Sequence, residues 1–304
     1  MSRSSQALTY VPASVLKNAA APVLKPLLRR PGLYGMDGQI PKVLRTLERL
    51  SSIDQHVNID LNEKSVLELG PGLTPHLMAA MVVAGASRAL GVDVRAVMPS
   101  GWSDKATFSG LVDALVAGGA PRFMERFCTN PESIKKRFDS FGATMPIEYR
   151  VAHGDVLPAE TDSIKLIYSK SVLEHVRREF VPKLVSEQFR VLEPGGYAIH
   201  TIDLRDHTKI NDDYGVSGDW LDALRYPEWL HDMMTSNRVV HINRLRSTDW
   251  DGIFKAAGFE IASWAETRFE LAPSFSPGRL AGPFRRFDAH ELSVGFVDVC
   301  LRKP

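Results

Sequence analysis

The chain is poor in cysteine, holding only Cys128 and Cys300 in 304 residues. The two lie far apart and share no metal-ligand spacing, which excludes a disulfide framework or a cysteine zinc site and suits a reducing compartment such as the cytoplasm. It also lacks an excess of either charge. Lys and Arg total 37 against 36 Asp and Glu, a formal net charge of +1, so no global electrostatic attraction speaks for a nucleic-acid partner. Long apolar runs are missing too: even Leu77 to Ala86 falls short of the roughly 18 residues that span a bilayer. No internal repeat or low-complexity segment is present.

Residues 1–36 contain no acidic side chain, while Arg3, Lys17, Lys25, Arg29 and Arg30 alternate with leucines and valines. Pro22, Pro26 and Pro31 interrupt any long amphipathic helix. The segment therefore reads as an arm folded over the domain, with peripheral contact to a membrane surface as the other reading and an organellar transit peptide as a third. Beyond it, 44% hydrophobic residues can bury a large core. The expected organisation is an arm over residues 1–40 and one enlarged domain over 41–304.

The most informative stretch is Val66-Leu67-Glu68-Leu69-Gly70-Pro71-Gly72-Leu73-Thr74-Pro75, a buried strand entering a glycine turn and then a helix. Glycines let a backbone approach a ligand where a side chain would collide, and the following helix offers free N–H groups. About 20 residues on, a second apolar run, Arg88 to Val92, ends at Asp93. Doubly wound nucleotide folds hold ribose hydroxyls with a carboxylate at that place. A dinucleotide turn would carry a third glycine where Pro75 stands, which weighs against a nicotinamide cofactor.

Strands are predicted at about 65–69, 88–92, 148–152, 164–168, 197–202, 260–264 and 294–301. Helices are predicted at 40–50, 76–84, 180–192 and 248–257, the last ended by Gly258. Their alternation indicates a parallel sheet. Two connections, about 94–146 and 204–246, are too long for simple crossovers and leave from the carboxyl ends of strands, where open sheets bind ligands. They are expected to form the acceptor pocket, although any one of their aromatic residues reads first as part of a small satellite core.

Taken with His153-Gly154-Asp155-Val156, Ser171-Val172-Leu173-Glu174-His175-Val176 and Leu192-Glu193-Pro194-Gly195-Gly196, this order of motifs resembles the class I S-adenosylmethionine-dependent methyltransferases, of the small-molecule or glycan-modifying kind. The resemblance implies a Rossmann-like, doubly wound α/β sheet of seven strands, mostly parallel with one antiparallel C-terminal strand and helices on both faces. It implies S-adenosylmethionine as cofactor, held by Glu68, Gly70, Pro71, Gly72, Asp93, Val94, Asp155, Val156 and Ser169. It also places the Glu174-His175 pair close to the cofactor, with His175 as base, pocket wall or loop anchor.

Sulfonium methyl transfer asks an enzyme to align the acceptor and exclude water, and a hydroxyl acceptor must also lose its proton. Thr201 to His207 ends the fifth strand, so His207 is the leading candidate base, with Asp203 or Asp206 to orient it. A structural set of turn acids is the plainer reading. No metal is expected, a magnesium ion held by the same two carboxylates and histidine being the lesser alternative. Arg244 or Arg246 could clamp an acidic acceptor. The expected reaction is O-methylation of a small-molecule acceptor or of a glycan or lipid-linked one. A non-catalytic cofactor-binding or assembly protein and a nicotinamide oxidoreductase are the rivals.

Overall fold

The structure, a computed structural model, describes residues 36–53, 59–98, 101–127, 130–153, 156–207, 220–235, 241–271 and 275–304. Seven strands form one sheet: β1 (Ser65–Leu69), β2 (Arg88–Asp93), β3 (Ile147–Val151), β4 (Ile164–Lys170), β5 (Leu192–Asp203), β6 (Glu260–Arg268) and β7 (Val294–Arg302). Their order is β3-β2-β1-β4-β5-β7-β6. All pairs from β3 to β5 are parallel, and β7 runs antiparallel to both β5 and β6.

The central strands are apolar because both faces are covered. In β1, Val66, Leu67, Glu68 and Leu69 are all buried, whereas the edge strand β3 exposes Val151 and the charged Glu148 and Arg150, and such charges discourage further pairing. On one face the helix Ile40–Ser52 packs Val43, Leu47 and Leu50, and the helix His76–Val83 is buried almost throughout. On the other, the helices Val181–Val191 and Ser247–Ala256 bring Leu184, Val185, Trp250 and Phe254 onto Leu67, Ile167 and Ile202. Among the described residues no helix is long and apolar enough to cross a membrane.

Strand β5 begins at Leu192, five residues ahead of the predicted start at 197. Leu192 pairs with Ile164, the register then shifts, and Tyr197 pairs with Leu166. The Glu193-Pro194-Gly195-Gly196 segment is thus accommodated within the strand as an irregularity, with Gly195 at φ +73°.

The first long connection differs from expectation in what its aromatic residues do. It folds into helices Ser109–Val116, Pro121–Phe127 and Pro131–Ser140, and Phe108, Phe123 and Phe138 are buried in the same core as Leu47 and Met78. These side chains cover the helix His76–Val83, which explains why that helix has so little polar surface. The second connection behaves differently. Its Trp220, Leu221 and Leu224 form a separate core with Leu280, Phe284, Phe287 and Leu292, which joins it to the segment between β6 and β7. Cys300 is buried in β7, and Cys128 lies outside the described residues.

Candidate active site

The sheet order reverses between β1 and β4, and the carboxyl ends of these strands and their neighbours form the crevice where open α/β sheets take ligands. The glycine turn leaves β1 here. Gly70 and Gly72 have φ of +65° and +62°, a region that glycine enters without strain. The N–H of Gly70 donates to the Val92 carbonyl at 2.8 Å, tying the turn to β2. Pro71 is buried, and a Cβ added at Gly91 would come within 3.0 Å of its ring. Pro71 therefore shapes the turn by packing against β2. At Gly72 an added Cβ would meet nothing within 4 Å, so the turn presents open backbone to the crevice.

Asp93 stands at the end of β2. Its Oδ2 accepts the Gly72 N–H and its Oδ1 the Arg95 N–H, each at 3.2 Å. One bond per oxygen leaves each a further acceptor site. The Ala152 N–H donates to the Asp93 carbonyl at 2.9 Å, setting the exit of β3 beside that of β2. Leu73, Val94 and Val156 are 45%, 41% and 57% exposed in this part of the chain. Asp155 lies outside the described residues. An open glycine turn, a half-buried acid with spare lone pairs and exposed apolar side chains fit a nucleoside with vicinal hydroxyls.

Glu68 is buried below the turn and accepts a hydrogen bond from the Tyr168 hydroxyl at 3.2 Å. Burial pushes its carboxyl up to about 8, against the lowering effect of Tyr168 and with a small further rise from Asp93. Tyr168 has no counterpart among the sequence expectations. Ser169 points elsewhere: its hydroxyl meets His200 Nδ1 at 2.8 Å inside the core, and His200 stacks on Phe254. Its side chain is thus committed away from a cofactor, because residues alternate across a strand.

After β4 the chain makes a short helical turn at Leu173–His175. A Cβ at Gly70 would lie 2.6 Å from a methyl of Val172, so this turn and the glycine turn are in contact. Asn243 holds it from the second long connection. The Asn243 amide donates to the carbonyls of Leu173 and Val176 at 2.8 and 3.1 Å, and its N–H donates to the Glu174 carbonyl at 2.7 Å. His175 Nδ1 meets the His241 carbonyl at 2.7 Å, an arrangement that makes Nδ1 the protonated nitrogen. Burial, aided by His207, lowers the His175 imidazole to about 4.

His207 follows β5. Its ring lies edge-on to His175 with centroids 4.8 Å apart, and its Nε2 is 3.5 Å from Asp203 Oδ2. That separation is too long for a well-formed hydrogen bond. Asp203 is gripped by Arg205, whose Nε and Nη2 donate to its two oxygens at 2.9 and 2.8 Å. Burial alone would raise the Asp203 carboxyl, but Arg205 and the nearby His207 outweigh it and hold the group below its ordinary value. Asp206 is buried, and its N–H donates to the Trp220 carbonyl. The structure thus gathers Glu174, His175, Asp203 and His207. Glu174 is 1% exposed, and burial, with the Asp203 charge adding, holds its carboxyl well above the ordinary range.

The two arginines read as acceptor clamps are structural. Arg244 donates to the carbonyls of Ala223 and Tyr226 and pairs with Glu228. Arg246 donates to the carbonyls of Leu204 and Val294. Both tie the second connection to the body, and their burial leaves no fork for an acidic acceptor.

Among solved structures, the chain is similar to an S-adenosylmethionine-dependent methyltransferase from Mesorhizobium loti, with 18% identity over 88% of this chain and 100% of that one and a TM-score of 0.45. It is also similar to geranyl diphosphate C-methyltransferase from Streptomyces coelicolor, with 13% identity over 84% and 76% of the two chains and a TM-score of 0.46. A third is phosphoethanolamine N-methyltransferase 2 from Haemonchus contortus, with 12% identity over 90% and 58% and a TM-score of 0.46. No curated protein matches the sequence. The methyltransferase domain family matches residues 37–263, more than two thirds of the chain. The chain belongs to that family and is an S-adenosylmethionine-dependent methyltransferase of Rossmann-like fold.

Proposed function

We propose that the chain transfers a methyl group to a hydroxyl of a small-molecule or glycan-type acceptor seated over the carboxyl ends of β4 and β5. The observation that carries this reading is the placement of His207, 3.5 Å from the Arg205-held carboxylate of Asp203 and edge-on to His175. A hydroxyl is a poor nucleophile until its proton leaves, and a histidine beside a carboxylate is suited to take it.

When bound, the cofactor supplies a methyl group already activated on a sulfonium. Gly70 and Gly72 would seat its amino-acid part, Glu68 would meet its amino group, and Asp93 would accept its ribose hydroxyls. Val94 and Val156 flank the base. The His241–Arg246 segment and the Trp220 core wall the acceptor side and exclude water. His207 would receive the hydroxyl proton as the acceptor oxygen takes up the methyl group that the cofactor would supply.

Labelled methyl transfer into a fractionated extract tests the reading. A hydroxyl product that His207→Ala fails to form supports it, and label on nitrogen or carbon overturns it. The compartment proposed is the cytoplasm; residues 1–35 lie outside the described residues, and the arm they form is read first as folded over the domain and second as placed against a membrane beside a lipid-linked acceptor. Deleting them should abolish co-sedimentation with vesicles, and unchanged partitioning would contradict that placement.

A further inference from the structure

Glu174 is the least accounted-for side chain in the crevice. Neither of its buried oxygens has a well-formed hydrogen bond, although the N–H groups of Glu174 itself and of Asp203 lie near enough to lower its carboxyl. A buried carboxyl group in that condition is costly unless something else occupies its lone pairs. His207 Nε2 is likewise buried without a hydrogen bond. One donor atom each from Glu174, His175 and His207 can be chosen so that all three lie within 4.8 Å of one another.

The surroundings orient these donors. Because His175 Nδ1 is bonded to the His241 carbonyl, its free lone pair is on Nε2. A metal-binding histidine has its second nitrogen anchored in the same way. Asn243 fixes the backbone that carries both Glu174 and His175. Asp203 stands one layer behind, with its charge balanced by Arg205. A magnesium site built from Asp203, Asp206 and His207 is thereby disfavoured, since one of its carboxylates is already taken.

We propose that Glu174, His175 and His207 form a binding site for a divalent transition-metal ion that holds the acceptor through its oxygen. Two imidazoles and one carboxylate suit zinc, manganese, iron(II) or cobalt(II), whereas magnesium and calcium favour all-oxygen shells. Three protein donors leave coordination positions for an acceptor oxygen. The inference rests on the hydroxyl-acceptor reading and changes one assignment in it. With the ion in place His207 is a ligand, and the hydroxyl proton leaves to water. The oxygen pair still forms the bond to the methyl carbon, and the carbon–sulfur pair still returns to sulfur.

A second cluster, His231, Asp232 and His241, also brings possible donors within 4.8 Å and supplies the control. The full chain, freed of metal by chelator, is titrated with cobalt(II), following the visible absorption bands and competition by zinc. One equivalent should bind. Glu174→Gln and His207→Ala should each weaken it at least about 100-fold while retaining S-adenosylmethionine binding, which shows that they fold. His231→Asn should bind cobalt as the parent does. Absence of the bands, or binding lost only in His231→Asn, overturns the site. Methyl transfer that survives the chelator yet needs His207 overturns the metal and leaves the base reading intact. Cobalt binding as predicted, with methyl transfer only to nitrogen or carbon, supports the site and rejects the hydroxyl acceptor.

Discussion

Gly70 and Val172 interlock: an added Cβ on the glycine would fall 2.6 and 2.8 Å from the two methyls of Val172. The contact joins the turn after β1 to the turn after β4, so the cofactor seat and the Glu174-His175 segment cannot move independently. Gly70→Ala should therefore cost stability through both the clash and the positive φ, about 1–3 kcal/mol, and weaken S-adenosylmethionine binding. Adding Val172→Ala should recover part of the melting temperature. No recovery would mean that backbone conformation alone sets the cost.

Asn243 spends three hydrogen bonds on the Leu173–Val176 turn. Asn243→Ala should lower kcat about tenfold or more with little change in cofactor Kd, because it loosens a positioned group rather than the cofactor seat. Steady-state kinetics with a calorimetric Kd checks this. An equal loss in both would place Asn243 in support of the cofactor instead.

Glu68 makes the protein sensitive to alkali. Its carboxyl is raised from 4.5 to about 8, so the folded state keeps a proton that the unfolded state has released. That stabilisation is complete below pH 4.5 and is lost as pH rises through about 8. Between about pH 5.5 and 7 the unfolding free energy should fall with a slope approaching about 1.4 kcal/mol per pH unit for this group, flattening as pH passes about 8. Urea unfolding of Glu68→Gln should show a shallower fall, with Glu174 still contributing in the same direction.

The buried histidines act at the acid end with the opposite sign. Burial lowers His200 and His231 to about 3 and His175 to about 4, so each stays neutral in the fold while the unfolded chain protonates near 6.5. Their stabilisation is present above pH 6.5 and drains away as pH falls through these values. His200→Gln, which keeps a partner for Ser169, should reduce the loss of urea stability between pH 6 and 4.5. An unchanged acid profile would show that His200 does not titrate on unfolding.

Much of this was legible in the chain. All seven strands and the Gly70–Gly72 turn follow from local patterns, because buried parallel strands read as apolar runs and glycine turns have few substitutes, while the mostly parallel sheet with its antiparallel C-terminal strand came from the family resemblance. The Asn243 clamp, the His241 carbonyl on His175 and the Arg205 grip on Asp203 needed coordinates for different reasons. Asn243 reaches back 70 residues to Leu173, and sequence spacing carries no information about such a contact. Arg205 lies only two residues from Asp203, but pairing there depends on where the chain bends after β5. Arg244 and Arg246 misled for the same reason, since a buried staple to carbonyls and an exposed anion clamp use one residue type.

Asp93 is the residue on which the cofactor seat turns, because its two oxygens each hold one backbone N–H and keep an acceptor site free. Calorimetric titration of the purified protein with S-adenosylmethionine, beside Asp93→Ala and a nicotinamide dinucleotide, tests it directly. Binding in the micromolar range that weakens by about 2 kcal/mol or more in Asp93→Ala is predicted, as loss of charged hydrogen bonds to two hydroxyls requires. Binding indifferent to Asp93, or a preference for the dinucleotide, would contradict it.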